Sequence, residues 1–600
     1  MEPMPAPIED YALLSDCRTA ALVSREGSID WLCLPRYDAP SIFGALLGDP
    51  SHGCWSLRPV DQDATAQRRY WPDTFILITR WESADGIAEV HEFMPMSHDR
   101  TDVVRRVVGV SGTVAFRTEL RMHFDYARAV PWVRQVGSAE APALRGTAGP
   151  DAVIVRGVKL DASDHVHAAE FAVTADETRD LTLTWFRSHE PVPQPLDVEA
   201  AIAQTRSWWQ GWASSIAHDG PHRDAVVRSL LVLRALTNRD TGGIVAAPTT
   251  SLPEDFGGSR NWGYRFVWLR DAALTLEALI AHMFLEEAHH WRRWLLRAVA
   301  GDPAEVQIMY GIAGERDLAE RELTSLPGYN GAAPVRIGNG AVDQYQGDVI
   351  GEVLVALEAA RIAGLEEGEF SWPLQRKLIE RVIVDIDKPD NGIWEIRGEA
   401  QRFTHSRVMM WAALDRGVRA VREHGLPGDA DRWVHMRDQL RAEIDVQGVH
   451  RDGYFAQHYG SDEVDASLLT LPQVGYCAAD DPRMLRTVEQ MESTLVRDGL
   501  LMRYRTSSGV DGLEGGEHPF LACSFWLVEQ YAASGRIDDA RALMERLVGL
   551  SNDVGLLSEE YDVGGSRQAG NMPQAFSHLT LVRAADALAG HSGRAADRHS

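Results

Sequence analysis

Glu395 directly follows Trp394 in a turn bounded by Gly392 and Gly398. A carboxylate set against an aromatic surface is poorly solvated as an anion, so its pKa rises and it becomes able to donate a proton near neutral pH. A surface glutamate beside a packing tryptophan fits the same residues, and from this segment alone it is the simpler reading. Glu559 and Glu560 stand side by side in Gly555–Asp562, and Gly570–His578 follows. Adjacent carboxylates fit a charged site, although such pairs are common on surfaces. Pro573 suits the first turn of a helix with Asn571 as its cap. Gln574 and His578, one turn apart, would share a face of that helix, and a lone helical histidine is more often a satisfied core residue than a catalyst. Between Gly258 and Asp271, Trp262, Tyr264 and Trp268 alternate with Arg260, Arg265 and Arg270. Aromatic faces suit the C–H surfaces of sugars and planar polar groups suit their hydroxyls. An Arg–Asp pair pinning the loop explains Arg270 and Asp271 equally well. Arg336 and Asn339 in Val335–Gln344, and Glu517 in Leu513–Phe520, fit either a pocket lining or ordered, capped loops.

These segments fall in the connections between helices. After residue 220 the apolar residues recur at i, i+3 and i+4, and twelve helices are predicted: 222–238, 268–284, 288–300, 346–364, 373–386, 405–423, 428–444, 465–478, 482–497, 519–534, 537–549 and 573–589. The eighth contains Pro472. Connections alternate in length. Those around Leu285, Leu365–Trp372, Gly425–Pro427, Ala479–Asp481 and Gly535–Arg536 are short; those over 239–267, 301–345, 387–404, 445–464, 498–518 and 550–572 are long and rich in Gly, aromatic and charged residues. Helices joined by short loops run antiparallel, so strict alternation puts all six long loops at one end. Six hairpins of this kind close into an (α/α)6 barrel with a loop-built pocket at that end. An open solenoid is the alternative, but it would usually show a repeating sequence, and none is visible.

Before residue 199 the pattern is β-like. Candidate strands are Ala20–Ser24, Phe75–Glu82, Ala88–Phe93, Val103–Val110, Val114–Met122, Ala152–Leu160, His167–Val173 and Leu181–Arg187, separated by Gly, Asp or Ser turns. Many short strands in one block predict an antiparallel β-sandwich. The domain expectation is therefore a sandwich over 1–198, a helical linker over 199–220 with Trp208, Trp209 and Trp212 packing between domains, a barrel over 221–590 and a disordered tail over 591–600. The chain of 600 residues is long enough for two such domains. No stretch approaches a membrane span. The start of the chain lacks a basic region followed by an apolar one, and the five cysteines are scattered, so a cytoplasmic protein without disulfide framework or zinc site is expected. A net charge of −27 argues against nucleic acid and anionic membranes as partners.

Taken together, these segments resemble glycoside hydrolase family 15, the glucoamylases, glucodextranases and prokaryotic trehalases. The resemblance runs from Ile8–Tyr11 and Ala21–Asp38 through RNWGYRFVWLRD, VRIGNGAVDQ, GIWEIRG, GGEHPFLACSFWLVE and GLLSEEYD to GNMPQAFSH, in that order, and covers nearly the whole chain. It implies the same two-domain fold. It implies Glu395 as general acid, Glu559 as general base with Glu560 as the fallback, and Arg270 and Asp271 as ligands of the terminal glucose. The proposed sugar contacts are Trp262, Tyr264, Trp268, Trp394, Arg397, Arg336, Asn339, Glu517, Gln574 and His578. Three positions depart from the family pattern: Gly263 where relatives carry Asp, His518–Pro519 where small residues are usual, and Met572 in place of Phe. The Gly263 change bears on glucose-site geometry.

The implied activity is inverting, exo-acting hydrolysis of an α-glucoside, with the two carboxyl groups on one end of the barrel and about 6.5–9.5 Å apart. No metal or organic cofactor is required. Trehalase and glucoamylase types both remain, with a lean toward a small sugar such as trehalose. The rival readings are a glycoside phosphorylase, which would need no base, and a non-catalytic sugar-binding protein on the same fold.

Overall fold

One strand of 21 residues, Thr101–Arg121, organises the N-terminal domain. In the computed structural model, which describes residues 5–97, 99–300, 305–513 and 515–590, we name five of the strands: β1 (Cys54–Pro59), β2 (Gly86–Phe93), β3 (Thr101–Arg121), β4 (Val166–Thr174) and β5 (Thr178–Arg187). The first half of β3 pairs antiparallel with β2 and β5, and its second half with β1 and β4. The strand changes partners at Gly112, whose φ of +63° sits beside a register shift in the pairing with β2. Such a bulge bends a strand without ending it. The expected pair of strands Val103–Val110 and Val114–Met122 is therefore one strand, because Ser111–Gly112 marks a bend and not a turn. Val103, Val107, Val114, Phe116 and Leu120 point from it into the main core.

The expected strands at 75–82 and 152–160 are observed at Leu77–Ser83 and Asp151–Arg156, and Ala20–Ser24 is as expected. Tyr11–Ser15, buried at every position, was not anticipated. A strand covered on both faces shows no alternation to read. The expected tail over 591–600 lies outside the described residues.

The helical part comprises α1 (Val198–Ala213), α2 (Arg223–Leu236), α3 (Leu269–Ala281), α4 (Leu285–Ala298), α5 (Val349–Ile362), α6 (Ser371–Val384), α7 (Thr404–Arg422), α8 (Ala430–Gln447), α9 (Pro482–Thr494), α10 (Leu521–Ala533), α11 (Ile537–Val548) and α12 (Ala575–Leu588). Helices α3, α5, α7, α10 and α12 form an inner ring, buried almost all round, and α2, α4, α6, α8, α9 and α11 pack outside it. The sixth inner position is the segment expected as a helix over 465–478. It is a 3-10 turn, Ala466–Thr470, followed by irregular turns. Asp465 caps it, and Pro472 stops it, since proline supplies no N–H and clashes with the preceding turn. Outer and inner elements alternate along the chain, so the long loops enter the barrel at the N-terminal ends of the inner elements. The architecture is an antiparallel β domain followed by an (α/α)6 barrel. Among the described residues no helix is long and apolar enough to cross a membrane.

Helix α1 joins the two parts. Asp197 caps it by accepting from the Ala200 N–H, and it ends at Ala213, short of the expected 199–220 span. Trp209 is fully buried with its ring 5.1 Å from Phe75 of the β domain, while Trp212 stacks on Phe284 at 4.1 Å and donates to Glu287. A second junction is polar. Arg265 donates from Nη1 to the carbonyls of Tyr37 (3.2 Å) and Ala39 (2.7 Å), and from Nη2 to the Tyr126 hydroxyl (2.7 Å). All three partners belong to the β domain, and Arg265 is 1% exposed. Replacing it by Met keeps the volume but strands those acceptors without donors. Arg265→Met is expected to lower the unfolding free energy by about 3 kcal/mol, read as a lower urea midpoint with unchanged slope.

Candidate active site

A pocket with polar and aromatic walls opens at the long-loop end of the barrel. Five of the six long loops supply its walls. Loop 445–464 supplies none of the lining.

Glu395 reaches the pocket from a strained turn. Its φ is +57°, a left-handed conformation that costs a non-glycine residue on the order of 1 kcal/mol. The surroundings fix that turn. Asp390 accepts from the backbone N–H of Gly347 (2.8 Å) and Gly392 (3.2 Å) and from Ser406 Oγ (2.6 Å), and Gln344 Nε2 donates to the Glu395 carbonyl at 3.1 Å. The Glu395 carboxylate does not rest on its sequence neighbour. Trp268 Nε1 donates to its Oε1 at 2.7 Å and Arg270 Nη2 lies 3.4 Å away. Trp394 packs instead beside Phe520 and Trp526 as part of the wall. Arg270 is shared with Gln346 (2.8 Å), Asp348 (3.4 Å) and Asp271 (3.4 Å). Burial works against its charge, but Asp271, Asp348 and Glu395 outweigh burial and hold it protonated. Burial pushes the Asp271 carboxyl up to about 6, with Arg270 pulling it back.

Glu559 approaches from the opposite arm of the sequence. Tyr264 donates its hydroxyl to Oε1 at 2.6 Å, and the Asn571 backbone N–H donates to Oε2 at 3.3 Å. Gly570, at φ +75°, lies against this carboxylate, and a Cβ there would fall 2.6 Å from Oε2. Only glycine fits. Burial pushes Glu559 up to about 8, with Glu254 adding to the rise and Arg503, Tyr264 and the Asn571 N–H opposing it. Glu560, the next residue on an extended segment, points the other way, as alternation requires. Its Oε1 accepts from Arg503 (3.0 Å) and its Oε2 from the His518 N–H (2.9 Å), and it does not line the pocket.

Of the other expected contacts, Trp262, Tyr264, Trp268, Arg270, Asp271, Asn339, Trp394, Arg397 and Gln574 line the pocket. Three do not. Arg336 lies outside, over the Trp262 ring at 4.8 Å, donating to the carbonyls of Ser259 and Asn261. Glu517 is buried behind the wall on Arg503 and Arg260. His578 is fully buried, with Nε2 accepting from the Leu557 N–H and Nδ1 facing Ser229 Oγ. Asn571 is not the cap of α12. It ties the loops together, accepting from Thr249 Oγ1 (2.9 Å) and donating to the Trp262 carbonyl (3.1 Å), while Gln574 caps the helix and Pro573 precedes it. A side chain at Gly263 would meet the Gly338 carbonyl at 2.5 Å, so the loop over 301–345 occupies the place an aspartate would take. Met572 is buried and absent from the lining.

Residues 220–586 match the family model for glycosyl hydrolases family 15, and residues 3–193 match a trehalase-like N-terminal model. The chain belongs to glycosyl hydrolase family 15. This family-15 chain is 37% identical to a trehalase of Mycolicibacterium smegmatis over 96% of its own length and 90% of the relative's. It is 34% identical to a trehalase of Thermoplasma acidophilum, over 94% and 98% of the two chains. A bacterial glucoamylase solved with acarbose shares the fold, with a TM-score of 0.75 over 98% of this chain and 95% of that one at 14% identity.

The family-15 pocket also contains residues that the sequence did not single out: Glu254, Arg503, Tyr504 and Phe576. Arg503 and Tyr504 sit in the fifth long loop, so loop parity was the available signal. Glu254, beside Asp255 after Pro253, sits in the first long loop, where parity was again the available signal but no residue pattern marked it.

The burial of His578 has a measurable cost. Burial, with Arg228 nearby, lowers its pKa to about 3, whereas an unfolded histidine titrates near 6.5. The unfolded chain therefore takes up a proton that the folded chain refuses. This stability is complete above about pH 6.5 and is lost progressively as pH falls toward 3. At pH 5 the loss is roughly 2 kcal/mol. His578→Gln should remove that part of the acid destabilisation, seen by comparing urea midpoints of both proteins at pH 7 and pH 5.

Proposed function

We propose that the protein hydrolyses α,α-trehalose with inversion, with Glu395 as general acid and Glu559 as general base. The carrying observation is that two carboxylates share one pocket and each is oriented by its own aromatic donor from a single loop, Trp268 for Glu395 and Tyr264 for Glu559. No hydrogen bond joins the two carboxylates among the described residues. That arrangement suits a water molecule between the base and the sugar, as single displacement needs.

In this reading Arg270 and Asp271 hold the glucose that is attacked. Trp268 and Arg270 both act on Oε1 of Glu395, so Oε2 carries the proton to be given. That proton passes to the glycosidic oxygen as the bond from the anomeric carbon to that oxygen breaks. A water oxygen adds to the anomeric carbon from the opposite face, and Glu559 takes the water's proton. Glu559 then loses its proton to solvent and Glu395 regains one, which closes the cycle. The attacked glucose leaves as the β-anomer, and the departing glucose keeps its α configuration. The choice of trehalose is supported by the trehalases that match this chain almost end to end.

Purified protein should release glucose from trehalose faster than from maltose, isomaltose, nigerose, kojibiose or soluble starch. NMR should show α- and β-glucose forming initially in equal amounts. Glu395→Gln and Glu559→Gln should each lower kcat by on the order of 10³-fold. Formation of glucose 1-phosphate in phosphate buffer, or of α-glucose alone, would overturn the mechanism, and no turnover of trehalose would overturn the substrate.

A further inference from the structure

Behind Glu559 lies a group of carboxylates gathered on one cation. Arg503 Nη2 donates to Glu254 Oε2 at 3.0 Å, to Glu517 Oε2 at 2.7 Å and to Glu560 Oε1 at 3.0 Å, and its Nε donates to Glu517 Oε1 at 3.2 Å. A terminal guanidinium nitrogen has only two hydrogens, so three carboxylates compete for two N–H bonds. The three are buried, with oxygens within 4.8 Å of one another. The centre of the cluster already holds a cation, the guanidinium itself. A second arginine gives little relief. Arg260 is committed to Asp511 at 2.6 Å, which also accepts from the Tyr504 hydroxyl at 3.1 Å, and it reaches Glu517 only at 3.4 Å. Among the described residues, and with Glu559, five carboxylates face two guanidiniums. Further titratable groups around the cluster, among the described residues, are Asp465, the Cys523 thiol and the Tyr264 and Tyr504 hydroxyls.

Of the five carboxylates, Glu254 and Glu559 alone line the pocket. The backbone brings their two segments together. Strand Thr250–Pro253 ends at Glu254, and the Pro253 carbonyl accepts from the N–H of Gly570, the glycine that lies against Glu559. The charge of Glu254 is the largest electrostatic contribution raising both Glu559 and Glu560, second only to burial. Charge in a buried site acts at low effective dielectric, so one neighbouring anion matters there.

We propose that Glu254, which has no part in bond breaking, is a positioning residue whose charge controls the protonation of Glu559 and so fixes the pH below which the base is idle. Two groups work in opposite directions on the same proton. Glu254 holds it on Glu559, and Tyr264 helps to remove it by donating to the anion. The inference rests on the reading of Glu559 as the base.

The test follows the acid limb of kcat/KM for trehalose against pH. In the wild type the limb should lie above the ordinary carboxylate range, because burial and Glu254 both hold the proton on Glu559. Glu254→Gln, which keeps an oxygen for Arg503, should move it down by about one unit or more, equivalent to about a tenfold gain in relative activity on the limb. Glu254→Asp, which keeps the charge, should leave it near the wild-type position, and Tyr264→Phe should move it up. Glu254→Leu is a second neutral variant, and either one suffices if the other fails to fold. The same proton is read without substrate by infrared titration of the protonated-carboxyl band, assigned to Glu559 by its loss in Glu559→Gln. On raising the pH, that band should disappear at a lower pH in Glu254→Gln and Glu254→Leu than in the wild type. A limb and a band that stay in place in both neutral variants overturn the proposal. A band that moves in protein that does not hydrolyse trehalose leaves this inference standing and sinks the functional reading instead.

Discussion

The structure depends on how one short segment divides its side chains between two domains. In the extended run after Asn261, Tyr264 turns toward Glu559 and its neighbour Arg265 turns away into the β domain. The backbone between them is held by the pairing of Ala247 N–H with the Tyr264 carbonyl and of Ala246 N–H with the Phe266 carbonyl. Three residues on, Trp268 reaches Glu395, and Arg270 follows at the first turn of α3. The positions of both carboxylates are thus set from one stretch of chain, and that stretch is bolted to the N-terminal sheets. No described residue of the β domain lines the pocket, but that domain decides where the lining stands.

Around that anchor the site concentrates cost. Glu395 occupies a left-handed backbone conformation, Glu559 is buried among other acids, and Arg503 is asked to serve three carboxylates at once. Each would destabilise an isolated loop. They persist because the surrounding barrel is densely packed, with inner helices covered on nearly every face. The stability of the barrel and the reactivity of its mouth are opposite sides of one account.

Much of this was legible in the sequence because loop length is a strong signal. Alternating short and long connections predict antiparallel hairpins, hence a common end, and the pocket lies there. The Trp–Glu turn and the Glu–Glu pair were visible for the same reason. What was not legible has physical causes. Ser111–Gly112 reads as a turn locally, and only the pairing of both halves of β3 shows a bend. A 3-10 turn can hold an inner-ring position because neighbouring helices supply the packing that Pro472 denies it. His578 has the spacing of a site residue, yet the face it shares with Gln574 turns into the core one turn further along α12. The roles of Glu254 and Arg503 arise from contacts between residues about 250 positions apart, and no local pattern records such a meeting.

One side of the barrel mouth stands apart from this arrangement. Loop 445–464 precedes the shortened inner element and sends no side chain to the pocket wall. Its sequence is therefore released from substrate choice while the other five loops are bound by it. Its backbone still accepts from the Thr404 N–H at Gln457 and donates from Tyr459 to the Arg402 carbonyl, so that freedom belongs to the side chains that face solvent. A lineage could acquire a new surface there, or a second recognition element beside the pocket, without disturbing the residues that surround the bond to be broken.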